Sequence, residues 1–122
     1  MRVLVTKTFK RFQRKERISD QAMLHAVERA EIGLVDADLG GGLNKQRVAR
    51  QGQGRSGGYR TIIAFRTSGR AIFLFGFAKN AQSNIDAVTL SHWQTIGADL
   101  MAASDNAIDT AIASHELHEV LP

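Results

Sequence analysis

The sequence predicts an α+β domain, an antiparallel sheet with a helical hairpin at its N-terminal end and helices at its C-terminal end, in the order β-α-α-β-β-β-α-α over residues 1–122. Three observations carry this reading. Apolar residues recur at helical spacing in residues 7–34 and again after Leu90, the stretch between them alternates at the strand period, and glycine-rich punctuation separates the regimes. A chain of 122 residues suffices for one domain with its own core.

Residues 2–6 read as a short strand, with Val3 and Val5 alternating against Leu4. Thr6 or Thr8 can cap a basic helix running to about Lys15, with Phe9 and Phe12 on one face. Ser19-Asp20 starts a second helix, carried by Met23, Leu24, Val27 and Ala30 until Gly33 stops it. Gly40-Gly41-Gly42 then breaks the chain, and strands follow at residues 43–50, 59–66 and 71–79. Thr67-Ser68-Gly69 joins the last two as a hairpin, and the polar, glycine-rich residues 51–58 predict an exposed flexible loop. Leu90, Trp93, Gly97, Leu100 and Met101 mark a helical stripe, and Ser104-Asp105 caps a short helix through Ile108 and Ile112. His115, Glu116, His118 and Glu119 read as a solvated terminal helix rather than a metal site, since their order is not H-E-x-x-H.

Several classes drop out on composition. Without cysteine there is neither a disulfide framework nor a thiolate metal site. The longest apolar stretch, residues 71–78, falls far below the roughly 18 residues of a membrane span, and no signal peptide is read at the amino terminus. A cytoplasmic protein without membrane association or cofactor is the expectation. Gly52-Gln53-Gly54-Arg55-Ser56-Gly57 fits a dinucleotide fingerprint in letters alone, because no helix follows it.

The net charge of +4 conceals strong segregation. Residues 1–17 carry +6, residues 18–38 carry −4, residues 39–80 carry +8 with no acid, and residues 81–122 carry −6. Such blocks are the pattern of a nucleic-acid footprint. Within the acid-free block, Lys45 and Arg47 share one face of a strand by period two, Arg60 opens the next strand, and Lys79 closes the last. Neighbouring strands lie about 4.8 Å apart, so these cations can converge on one phosphate if register permits. Cleavage of RNA without a metal needs cations for the growing charge on phosphorus, and crowding by Arg47 offers Lys45 as a base. We take Lys45, Arg47, Arg60 and Lys79 as the candidate catalytic set. Arg50, Arg55, Tyr59 and Asn80 are candidate RNA-binding residues, Tyr59 by stacking on a splayed base unless it packs in the core.

The runs Leu39-Gly40-Gly41-Gly42-Leu43-Asn44-Lys45-Gln46-Arg47-Val48-Ala49-Arg50, Gly57-Gly58-Tyr59-Arg60 and Phe77-Ala78-Lys79-Asn80 resemble the RelE/HigB-like toxins of bacterial type II toxin–antitoxin modules, over about residues 1–90. The resemblance implies a RelE-like fold and an endoribonuclease that cuts mRNA on the ribosome, held inactive by a cognate helix-turn-helix antitoxin. By position, Lys45 and Arg47 match the family's paired basic residues and Arg60 matches the arginine after Gly-Tyr. The chain departs from the better-known branch in having Asn80 near the closing arginine and Tyr59 as its only tyrosine. The rival expectations are a non-catalytic nucleic-acid-binding module, or a toxin of the same fold aimed at a topoisomerase. The acidic residues 90–122 extend past the resemblance and are expected to pack on the sheet or to serve a homo-oligomer.

Overall fold

Strand β1 (Arg2–Thr6) buries Val3, Leu4 and Val5 in succession, at 5%, 0% and 0% exposure, and a strand covered on both faces must run inside a sheet. The computed structural model describes residues 1–50, 54–65, 69–78 and 86–122, with residues 50, 54–57 and 78 described by their backbone alone. After β1 come helices α1 (Lys7–Glu16) and α2 (Asp20–Glu31), then strands β2 (Ala37–Gly40), β3 (Leu43–Arg50), β4 (Gly54–Phe65) and β5 (Arg70–Ala78). Helices α3 (Ala87–Ala102) and α4 (Asp105–Ala113) and strand β6 (Leu117–Val120) complete the order. The strands form one six-stranded sheet, β2-β3-β4-β5-β1-β6, in which β1 runs parallel to β5 and every other pairing is antiparallel. The α+β class holds. The parallel β1–β5 pair makes the sheet mixed, and two strands of four residues, β2 and β6, extend its edges.

Alternation along the strands builds a core on each face. One face turns Val3, Val5, Val48, Tyr59, Ile63 and Phe73 toward α1 and α2. The other turns Leu4, Leu43, Ile62, Ala64, Ile72 and Leu74 toward α3 and α4. Phe9 of α1 is fully buried, packing on Phe12 and Phe73 with ring centroids 5.8 and 5.1 Å away. Complete burial of one such side chain is worth about 1.5–3 kcal/mol.

The helix starts follow the capping residues read from the sequence. Thr6, Ser19 and Ser104 each accept a hydrogen bond from the backbone N–H three residues on, at 3.1, 3.1 and 3.0 Å. Gln13, buried at the end of α1, donates to the Ile18 carbonyl and to Asp20, which fixes the angle between α1 and α2. On the opposite layer, Gly97 lets α3 approach the sheet. A Cβ there would stand 3.0 Å from Leu43 and 3.3 Å from Ala64, which explains a helix-weakening residue in mid-helix. No helix among the described residues is long and apolar enough to cross a membrane.

Two local readings need correction. Residues 54–58 belong to strand β4 instead of a loop, and Gly58 permits close cross-strand approach: a Cβ there would stand 2.3 Å from the Val48 carbonyl oxygen. Residues 51–53 and the Thr67-Ser68 part of the hairpin lie outside the described residues. The terminal segment is a strand as well. Helix α4 ends where His115 takes a left-handed conformation (φ 64°), after which Leu117 and Val120 alternate into the two cores along the edge of β1.

Gly97→Leu should therefore lower stability by about 1–3 kcal/mol through overpacking, seen as a lower urea midpoint at unchanged slope. An unchanged midpoint would mean that α3 does not sit against Leu43 and Ala64.

Candidate nucleic-acid interface

Strand β3 sends Leu43, Lys45 and Arg47 to the α3 side of the sheet and Gln46 and Val48 to the α2 side. Its antiparallel partner β4 sends Arg60 and Ile62 to the same α3 side. Register does the rest: Lys45 stands opposite Ile62, Arg47 opposite Arg60, and Arg60 in turn opposite Phe77 of β5. The sheet thus brings Lys45, Arg47 and Arg60 into one half-buried patch on one face.

Like charges directly opposite on neighbouring strands destabilise a sheet, so this row costs the fold stability. One acid offsets it in part. Asp36, just before β2, accepts from Arg47 Nε at 3.1 Å. The Arg60 guanidinium is less provided for, since its Nη1 is buried without a hydrogen-bond partner among the described residues. A buried cationic donor of this kind is well matched to an anion's oxygen.

The strand beneath the row is held firmly. Arg29 of α2 donates from Nη2 to the Arg47 carbonyl, and Gln46, fully buried, donates to the carbonyls of Ala26 and Leu34 at 2.9 and 3.0 Å. Thr61 of β4 donates to the Gln46 carbonyl at 2.8 Å. Beside the row, Phe75 stacks on Trp93 of α3 with centroids 5.3 Å apart and planes at 25°. Phe75 stands opposite Ile62, one step along the same face from the Arg60–Phe77 pair. The patch is therefore cationic at its centre and aromatic along one side.

The remaining candidates fall elsewhere. Tyr59 points to the opposite face, 4% exposed, edge-on to Phe12 at 5.6 Å and donating to the Glu16 carbonyl at 3.2 Å. Packing accounts for it, and it does not join the row. Arg50 pairs with Gly54 across a register shift and Arg55 lies within β4, but their side chains are outside the described atoms. Lys79 and Asn80 lie outside the described residues.

Two other cations of the basic blocks are structural. Arg2 forms a two-pronged pair with Glu119 at 2.9 and 3.1 Å and reaches Asp109 at 2.8 Å, which holds its pKa well above the ordinary arginine value. Arg70 donates to Asp105 at 3.0 Å and to the Leu100 carbonyl at 2.8 Å. Sequence reasoning did not single out Asp36, Phe75 or the Trp93 contact. An acid-free stretch of sequence is not an acid-free surface, because Asp36 enters from the preceding block.

Compared with models of known protein families, the chain matches, over residues 1–120, the one described as the RelE toxin of the RelE/RelB toxin–antitoxin system. No curated protein matches it.

Asp36→Asn should release Arg47 toward an anion. Fluorescence anisotropy with a single-stranded oligonucleotide is expected to show tighter binding and a log-log salt slope steeper by about 0.7, the value of one phosphate contact. An unchanged slope would place Arg47 outside the interface.

Proposed function

This chain belongs to the RelE toxin family of toxin–antitoxin systems, and from that premise we propose that the Arg47–Arg60 row is the phosphate-holding centre of an endoribonuclease that cleaves mRNA on translating ribosomes. The observation that carries the reading is the cross-strand placement of Arg47 opposite Arg60, with Arg60 Nη1 buried and without a hydrogen-bond partner among the described residues. In the free protein the pair repels itself. A phosphodiester between the two relieves that repulsion, and the more highly charged phosphorane of the transition state relieves it further, so binding energy is spent where it accelerates reaction.

In the proposed reaction the 2′-oxygen attacks the adjacent phosphorus in line while the P–O5′ bond breaks. Lys45, on the same face, is the candidate to take the 2′-hydroxyl proton. Lys79 is the candidate donor to the departing O5′. The products are a 2′,3′-cyclic phosphate and a 5′-hydroxyl, and no metal enters the balance. Phe75 and Trp93 offer an apolar side against which a neighbouring base can rest. A cognate helix-turn-helix antitoxin, binding in the cytoplasm, would silence the site by covering the row.

Arg60→Ala should reduce cleavage of translated messages by roughly 10²–10³, the usual cost of one charge-stabilising donor, with a circular dichroism melt no lower than that of wild type. Mapping of transcript ends should find cyclic-phosphate termini inside translated regions. Undiminished cleavage would remove Arg60 from the centre, and salt-dependent RNA binding without any new ends would leave a binding module in place of an enzyme.

A further inference from the structure

We propose that the solvent side of α1, with His118 of β6 beside it, is a second surface for RNA phosphates, on the sheet face opposite Arg47 and Arg60. It lies outside the cleavage reading and does not rest on it. Helix α1 carries Lys7, Lys10, Arg11, Arg14 and Lys15 in ten residues, and Arg17 follows in its left-handed cap. All of these but the half-buried Lys10 are exposed. Their spacing sets like charges three and four residues apart along the helix, and Lys7 and Lys10 stand in the first turns, where the helix dipole disfavours cations. The dipole favours Arg14 and Lys15 in the last turn, but folding gains nothing from the cations of the first turns or from the like-charge spacing.

The fold also declines to neutralise it. Arg2 and Arg70 are taken up by acids of the C-terminal block, whereas the ion pair found for α1 among the described residues is the long, exposed contact of Lys7 with Glu116 at 3.9 Å. His118 stands opposite Val5 on the α1 side of the sheet, half-buried, with His115 stacked 6.3 Å away. The charged groups facing it are Lys7, Lys10 and Arg14 from α1 and His115 with Glu116 from the turn after α4; β1 contributes none there, and Glu119 faces the other way toward Arg2. Burial first, and then Lys10, Arg14, His115 and Lys7, hold its pKa below the ordinary 6.5. An anion set among these cations would reverse the second effect.

RNA suits the surface better than an acidic peptide. A docking peptide normally brings apolar anchors that need apolar counterparts, and the exposed large hydrophobic residues among those described, Met1, Ile32, Leu34, Val88 and Leu121, are all off α1. A phosphate backbone needs cations at intervals and nothing else.

The test is anisotropy with a 2′-O-methyl oligoribonucleotide, which cannot be cleaved, using wild type, Lys10→Gln/Arg14→Gln and Arg60→Ala. The double variant is expected to bind more weakly, with a salt slope shallower by about 1.4, two single-strand contacts, while its melting temperature holds or rises. His118 followed by NMR should titrate at higher pH once RNA is bound. By linkage, lowering the pH from 7.5 to 5.5 should then tighten RNA binding more for wild type than for His118→Gln. An unchanged slope with an unmoved His118 titration overturns the proposal. So does a double variant that keeps RNA but loses polyglutamate, which would make the surface a protein-docking site. If Arg60→Ala cleaves normally while the double variant loses slope, the cleavage reading fails and this one stands.

Discussion

Two arginines set opposite each other on the same face of β3 and β4 are the constraint around which the interface is organised. Strands in isolation would shift register or splay to separate them. They are kept from doing so by a core on each face, by the Gln46 and Thr61 hydrogen bonds within the sheet, and by Arg29 on the Arg47 carbonyl. The sheet is thus loaded with a repulsion that only an anion removes. Asp36 removes part of it in the free protein and would have to be outbid by a phosphate. This is the familiar exchange of stability for function, placed on rigid strands where the two charges cannot drift apart.

The four charge blocks acquire distinct duties once folded. Acids of the C-terminal block, Asp105, Asp109 and Glu119, gather Arg2 and Arg70 and so tie α4 and β6 to β1 and β5. Asp36 from the second block reaches Arg47. Among the described residues, what escapes neutralisation is the solvent side of α1 and the Arg60 end of the row, on opposite faces of the sheet. The modest net charge therefore understates how anions would see the molecule: two cationic surfaces remain after the structural pairs are formed.

Much of this was legible before folding was considered. Thr6, Ser19 and Ser104 announce their helices because a cap is a local hydrogen bond between near neighbours. Lys45 and Arg47 share a face by period alone, and the long antiparallel strands carry enough alternation to be read. Nonlocal facts were not legible. The pairing of β1 with β5, the edge strands β2 and β6 with four residues each, and the reach of Asp36 to Arg47 all depend on partners far along the chain. Glycines misled at residues 54–58, where composition suggests a loop and close approach to β3 makes a strand. Tyr59 was ambiguous until register put it on the face opposite its neighbour Arg60.

Equilibrium unfolding of Arg60→Met, with and without a non-cleavable RNA, reaches the claim on which the rest depends. Removing one of two opposed charges, and with it a buried donor that lacks an acceptor, should make the free variant more stable than wild type while RNA stabilises it less. A variant that is less stable when free, yet gains as much from RNA as wild type does, would show that the pair is a structural contact and not a seat for phosphate.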